Sequence, residues 1–458
     1  REILTSSGAF LGASVLHSVS PISSSLFAAN QFTKNFDVVQ ADKNENPYGP
    51  SRVALKAISK AMNLANRYEG RSRRQLIKLI AELNGVSPEN VALGTGSGEI
   101  LKTGGLIASW EEGSIVCADP TYQDLVRYAS RARSKIVRVP VDENLACNLE
   151  AISNAIKNDT RMVYLVNPNN PIPNVINGSE LRDFVTEISK DRMVFIDEAY
   201  HEYVKDPNYQ SMMGLIAEGR RNIIVARTAS KIHGLAGLAV GFGFAHPDHI
   251  KEINQLKTGK NNILGVEAAY ASYQDNEFQD FSRRKNQESL DIVEAMFKEL
   301  GVRYIKSNAN FSFFKTGIAV EELNKKLLEY DIASGRPFPP FTDWSRVSMD
   351  RPEHMQYYVK VFKELFGKNP INSHVILTDN EQMIFDPLFG LEGMKMDDYV
   401  RYIVENGFLS IDIEYKEIIF DIQPLLEKYR KDNRLKFVSS DPILCTFSID
   451  METKLIKN

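Results

Sequence analysis

The strongest constraint on this chain is an alternation of short apolar runs with helical segments, starting near residue 91 and reaching about residue 228. The runs are "SIVCAD", "KIVRVPV", "RMVYLVN", "MVFIDEAY" and "NIIVART", preceded by "VALGTGSGEILKTGGLIAS", which reads as strand, glycine loop and helix. Between them lie segments of helical periodicity such as "TYQDLVRYASRA" and "GSELRDFVTEIS". The runs are almost continuously apolar, which suits strands covered on both faces. Such alternation predicts an α/β fold with a doubly wound, mostly parallel sheet.

At 458 residues the chain can bury a large core and form more than one domain. Near residue 262 the pattern changes to long helices, "NILGVEAAYASYQ" and "RRKNQESLDIVEAMFKELG". The strands "RYIKS" and "NFSFFKT", the helix "AVEELNKKLLEY", the strand "WSRVSMD" and the helix "EHMQYYVKVFKELFG" follow. We therefore expect a large domain over 66–262 and a smaller α+β domain over 263–367. An arm over 30–65, opening on the turn-rich "ADKNENPYGPS", would join the small domain. Residues 368–458 match no motif and read as an unassigned C-terminal extension.

Net charge is −4, so no broad basic surface asks for nucleic acid. Cys117, Cys147 and Cys445 are too few and scattered for a disulfide framework or metal cluster, and read as inert thiols. The histidines lack ligand spacing, so no metal site is expected. Residues 1–29 have a basic start, an apolar run at 9–16 and small residues near Ala28, the layout of a secretory signal. "REIL" at residues 1–4 matches the second half of a twin-arginine signal, whose first arginine would precede residue 1. The apolar run is too short to span a bilayer, and no later segment is apolar enough for a stable membrane anchor.

Five loops at expected strand ends carry complementary chemistry. Lys231, in "RTASKIHGLAGLAVGFG", offers an amine that can condense with an aldehyde. Asp197 ends an apolar strand, where a carboxylate is costly unless paired; a protonated pyridine nitrogen is a useful partner. Asn170, in "NPNNP", offers an amide to a phenolic oxygen. The loop "GTGSGE" at 94–99 can cradle an anion at a helix N-terminus, or be only a tight turn. Tyr122 can stack on a ring, or simply pack in the core.

The ordered set "ADKNENPYGP", "GTGSGE", "PTY", "NPNNP", "DEAY" and "RTASKIHGLAG" resembles fold-type I pyridoxal-phosphate aminotransferases, most closely the histidinol-phosphate aminotransferase-like branch. The match runs from about residue 41 to residue 367, and "SGRPFPP" and "WSRVSMD" extend it through the small domain. The resemblance implies pyridoxal 5'-phosphate as cofactor, with Lys231 as the lysine that forms an imine with it and shuttles the proton. It implies Asp197 at the pyridine nitrogen, Tyr200 and Asn170 at the ring's oxygen, and Tyr122 on the ring face. Backbone of Ser97, Gly98 and Glu99, with the hydroxyls of Thr228 and Ser230, would hold the phosphate. Tyr68 looks like the tyrosine that reaches a neighbouring subunit's phosphate, which implies a homodimer. Arg346 matches the arginine that clamps a substrate carboxylate, and Arg336 and Tyr48 sit where the branch contacts the rest of the substrate.

The implied reaction is transamination between an amino donor and a 2-oxo acid acceptor. Two departures qualify it. The position eight residues after the lysine, where the family has a phosphate-binding arginine, is Ala239. The usual Asn-Pro-Thr-Gly turn reads Asn170, Pro171, Ile172, Pro173, and the last proline removes an N–H and fixes φ. A pyridoxal-phosphate decarboxylase or lyase, and an exported non-catalytic protein with a decayed cofactor site, therefore stand as alternatives. The leader points to a periplasmic or extracytoplasmic enzyme, against a cytoplasmic one.

Overall fold

The computed structural model describes residues 38–367 and three C-terminal strands. The chain divides into two units, Arg1–Asp37 and Val38–Asn458. The first, with the expected signal at 1–29, lies outside the described residues.

The core of the second unit is a seven-stranded sheet. Its strands are β2 (Val91–Thr95), β3 (Ser114–Asp119), β4 (Lys135–Pro140), β5 (Thr160–Val166), β6 (Met193–Asp197), β7 (Ile223–Thr228) and β8 (Val240–Ala245). They lie in the order β2-β8-β7-β6-β5-β3-β4. Only β8 runs against the others, pairing antiparallel with both β2 and β7. The expected mostly parallel α/β sheet is thus present.

Strand side chains alternate between two cores. Val163, Leu165, Val194, Ile196 and Val225 pack on one face beneath α2 (Gly70–Leu83), α6 (Gly178–Ile188) and α9 (Ile263–Ser272). Met162, Tyr164, Phe195, Ile224 and Ala226 pack on the other, beneath α3 (Gly96–Ala108), α4 (Asp124–Arg131) and α8 (Pro247–Leu256). Apolar residues on both faces of one strand are what make these runs continuous in sequence.

The sequence reading passes over β8 and α8. "VGFGFA" carries three small positions, so it reads as a glycine run and not as a strand. The glycines are a packing requirement: a Cβ on Gly241 would lie 2.1 Å from the Ser97 nitrogen. Glycine lets β8 pass directly beneath the loop that opens α3. The helix expected over "TYQDLVRYASRA" starts only at Asp124, leaving Thr121 and Tyr122 in the preceding loop.

The smaller α+β layer holds an antiparallel sheet of β9 (Tyr304–Ile305), β10 (Phe311–Lys315) and β12 (Trp344–Ser348). Helices α10 (Asn276–Leu300), α11 (Val320–Leu328) and α12 (Pro352–Phe366) accompany it. The arm enters through β1 (Val39–Ala41), parallel to β11 (Ile332–Ser334), then continues as α1 (Arg52–Ala61), capped by the Ser51 hydroxyl. Between these two elements the arm lies against the lysine loop: Asn46 Nδ2 donates to the Ile232 carbonyl at 2.8 Å. Of the extension, three strands are described, β13 (Ser410–Ile413), β14 (Leu435–Phe437) and β15 (Cys445–Ile449), in the antiparallel order β13-β15-β14.

Candidate active site

A cavity of about 430 Å³ opens where β5, β6 and β7 end. Open α/β sheets place ligands outside the carboxyl ends of their strands. Lys231, three residues past β7, forms part of its wall. The Lys231 Nζ donates to the main-chain oxygen of Asn44 at 3.2 Å and lies 5.6 Å from the centre of the Tyr200 ring.

Asp197 ends β6 and is buried. Its Oδ1 accepts from the Ala199 N–H at 3.1 Å. Burial raises its pKa from 3.8 to about 7, against the pull of that N–H and of Lys231. A carboxyl held in this way favours a cation set against it.

Tyr200 is buried beside Asp197, and its hydroxyl accepts from Asn44 Nδ2 at 3.0 Å and from Asn170 Nδ2 at 3.3 Å. Both lone pairs are then occupied, and the phenol's own proton is left to donate to a third group. Tyr122 is half-buried on the cavity wall, with its hydroxyl 3.3 Å from Asp124 Oδ2. Burial, then the nearby Asp124 carboxylate, hold this phenol protonated well above its usual range.

The other end of the cavity is an anion cradle. Gly96, Ser97 and Gly98 open α3, and Thr228 and Ser230 add hydroxyls 2.8 Å apart. The free N–H groups of a helix's first turn, with its dipole, favour an anion. Ala239 lines the same end, and its carbonyl accepts the Gly96 N–H at 2.7 Å. It offers a methyl group from a left-handed backbone, φ 50°, and no charge.

Arg346 reaches the cavity from β12. Its Nη1 donates to Asn170 Oδ1 at 2.8 Å and its Nη2 to the Asp42 carbonyl at 2.6 Å. Its Nε is buried without a partner among the described residues. Burial, with Arg336 nearby, lowers its pKa. Arg336 is exposed at the mouth, and the two guanidinium carbons stand 4.3 and 5.1 Å from the centre of one ring, Phe338.

Three expected residues are not on this wall. Glu99 turns its carboxylate back onto the Thr95, Thr258 and Gly259 N–H groups, closing its own loop. Tyr48 stands edge-on to Phe281 at 4.8 Å with Arg351 over its ring, and lines a separate, much smaller pocket. Tyr68 is 82% exposed, with the Lys260 ammonium over its ring at 4.5 Å. The altered turn leaves Asn170 in the cavity wall: Ile172 is fully buried against Phe313, Trp344 and Phe338, and Asn170 Nδ2 donates to the Tyr200 hydroxyl. The residue that sequence reasoning missed is Asn44. Its signal, one of two asparagines in the turn-rich "KNENPYGP", is indistinguishable from ordinary loop composition.

These groups fit pyridoxal phosphate: a carboxyl suited to a buried cation, a phenol with a spare proton, an amine, and a cradle for an anion. Residues 37–362 match the family model for aminotransferase class I and II. The chain is 32% identical to the histidinol-phosphate aminotransferase of Moorella thermoacetica over 72% of this chain and 86% of that protein. It is 32% identical to that of Brevibacillus brevis over 72% of this chain and 90% of that one. The histidinol-phosphate aminotransferase from Sinorhizobium meliloti, solved with pyridoxal-5'-phosphate, shares the fold at a TM-score of 0.65 and 22% identity, covering 76% of this chain and 99% of that one.

Two outcomes follow from the geometry. Because Asp197 binds its proton more tightly folded than unfolded, the cofactor-free protein should lose stability as pH rises from about 4 through about 7. Asp197→Asn removes that loss, on the order of 2–4 kcal/mol at pH 8 for a shift of this size. Thermal unfolding should then show the variant melting above the cofactor-free wild type at pH 8 but not at pH 4; parallel curves would contradict the account. Separately, Ala239→Arg should raise cofactor affinity. One charge-assisted hydrogen bond of about 1.5–3 kcal/mol corresponds to roughly 10- to 150-fold, read by titrating cofactor-free protein. Unchanged affinity would mean that another group already neutralises the phosphate.

Proposed function

The chain belongs to the aminotransferase class I and II family and is a pyridoxal-phosphate-dependent aminotransferase, and from that premise we propose that it acts on amino substrates carrying two anionic groups, outside the cytoplasm, as a homodimer. The observation that carries the substrate class is the pair of guanidinium groups sharing Phe338. Their hydrogen-bond partners are neutral: a side-chain amide oxygen and a main-chain carbonyl for Arg346, a main-chain carbonyl for Arg336. A buried guanidinium without a carboxylate partner is costly, and a substrate carboxylate relieves that cost. Arg346 suits it, since a planar guanidinium on the cavity wall can match two carboxylate oxygens. Arg336, at the mouth, is placed for a second anion, a distal carboxylate or phosphate. A phosphate there agrees with the relatives named for histidinol phosphate.

The chemistry that pyridoxal phosphate supplies when bound is an aldehyde for the substrate's amine and a ring that draws electrons from the Cα–H bond. The chain's groups do the rest. Asp197 would hold a proton at the ring nitrogen. Tyr200 and Asn170 would orient the ring oxygen. Lys231 would take the proton from the substrate's Cα as base and give it up again as acid.

The leader pattern at 1–29 supports export, and a twin-arginine route carries folded proteins, so the cofactor could be loaded first. The segment from α1 to Tyr68 exposes Val53, Leu55, Met62, Leu64 and Tyr68. An apolar strip of that kind suits a second copy of the chain, and would carry Tyr68 to the neighbour's cradle.

A donor panel read by keto-product formation tests the chemistry. Lys231→Ala should abolish turnover, and full turnover in that variant would refute the assignment. Arg336→Met should raise KM roughly 10-fold for donors with a second anion and leave mono-anionic donors unchanged, as loss of one charged hydrogen bond implies. Fractionation of cells expressing the full-length gene should place activity outside the cytoplasm, in a species of twice the chain mass. Activity confined to the cytoplasm rejects export, and a single-chain mass rejects the dimer.

A further inference from the structure

Asn44 lies in the arm between β1 and α1, buried to 1% exposure, with φ 55°. The left-handed region is unfavourable for residues with a Cβ, and asparagine tolerates it better than most. Such a residue persists inside a protein only where its surroundings over-determine it. Here they do. Its N–H donates to Ser348 Oγ at 2.8 Å, and the same hydroxyl donates to its Oδ1 at 2.6 Å. Its Nδ2 donates to the Tyr200 hydroxyl. Its carbonyl accepts from Asn310 Nδ2 at 3.0 Å and from Lys231 Nζ at 3.2 Å. One residue thus joins β12 and the segment before β10 to the end of β6 and the lysine loop.

We propose that Asn44 is a positioning residue for Lys231: its left-handed turn aims a main-chain carbonyl that receives the lysine's free amine, while its amide orients the Tyr200 phenol beside it. The inference rests on the aminotransferase assignment. A lysine ammonium is a point charge on a flexible stem with three donors. A proton carrier has to return to one place in each half of the reaction, and a fixed dipole at that place removes the need to search for it. The carbonyl is a suitable dipole because Asn310 Nδ2 holds it directly, while Ser348 fixes the preceding peptide through the Asn44 N–H. The Tyr200 contact adds a second function, since the two amides of Asn44 and Asn170 together leave the phenol proton free to donate.

A main-chain carbonyl cannot be deleted by substitution, but its direction can be changed through φ. Asn44→Gly keeps the left-handed turn without strain, and so keeps the carbonyl on Lys231, while losing the amide. Asn44→Ala loses the amide and disfavours the turn as well. The measurements are kcat and KM per bound cofactor, melting temperature, and the rate at which cofactor-free protein regains the visible cofactor band on adding pyridoxal phosphate. The glycine variant should turn over roughly 5- to 10-fold slower than wild type, with donor KM within about twofold, as loss of one or two hydrogen bonds implies. The alanine variant should fall about 10-fold further and regain the band more slowly. Wild-type kcat per bound cofactor in both variants, whatever their melting temperatures, overturns the proposal and leaves Asn44 a scaffold residue. Equal loss in both overturns the carbonyl's part in it. Failure of the assignment itself is separable, because it shows as turnover persisting in Lys231→Ala.

Discussion

The buried carboxyl at the end of β6 is the group around which the site is organised. Asp197 and Glu198 are consecutive, both buried, and treated in opposite ways. Glu198 is fully satisfied: it takes Arg227 Nε at 3.1 Å and Nη2 at 2.8 Å, together with Ser211 and the Met212 N–H. Asp197 has one main-chain donor and no ion pair among the described residues. A sheet interior that can satisfy one acid so completely leaves the next one with unused capacity facing a cavity. The simplest physical reason is a cation that arrives with the ligand. The Arg227–Glu198 pair in turn ties the ends of β6 and β7, which present Asp197 on one strand and lead to Lys231 on the other.

Around that carboxyl the remaining groups form one connected set. Ser348 holds Asn44, Asn44 and Asn170 hold Tyr200, and Arg346 holds Asn170. The set crosses from the small antiparallel sheet to the large one, so the relation of the two layers sets the relation of the carboxylate clamp to the lysine. Packing fixes that relation on the same seam: Ile172, in the loop that carries Asn170, inserts among Phe313, Trp344 and Phe338 of the smaller layer. The proline at 173 therefore alters the turn without releasing the amide that the site needs.

Much of this was legible in the sequence, and the part that was not has physical reasons. Lys231, Asp197, Asn170 and Thr228 could be placed because each follows an apolar run whose end is predictable, and strand ends converge in a parallel sheet. Strand β8 could not, because close approach to the 96–97 backbone replaces with glycine the bulky residues by which strands are recognised. Asn44 could not, because its importance lies in a backbone angle and in partners some 150 to 300 residues away along the chain. Glu99 was expected only for its backbone, and its carboxylate proved to be occupied by the 258–259 turn. Tyr68 was expected to reach a neighbour, so one chain alone does not bring it to the cavity wall, and Tyr48 is held in a separate pocket between Phe281 and Arg351.

The distribution of charge in the cavity is uneven, and this has a consequence for what is held tightly. Both arginines, Arg336 and Arg346, belong to the mouth and the clamp, and the cradle at the far end has N–H groups and hydroxyls but, at Ala239, no guanidinium. Charged donors bind anions roughly twice as strongly as neutral ones. The arginines therefore offer an anion charged donors, where the cradle offers one neutral donors. A covalent link to Lys231 would offset a weak cradle. Position 239 would therefore matter most whenever Lys231 is free and the cradle and Asp197 alone would hold the cofactor.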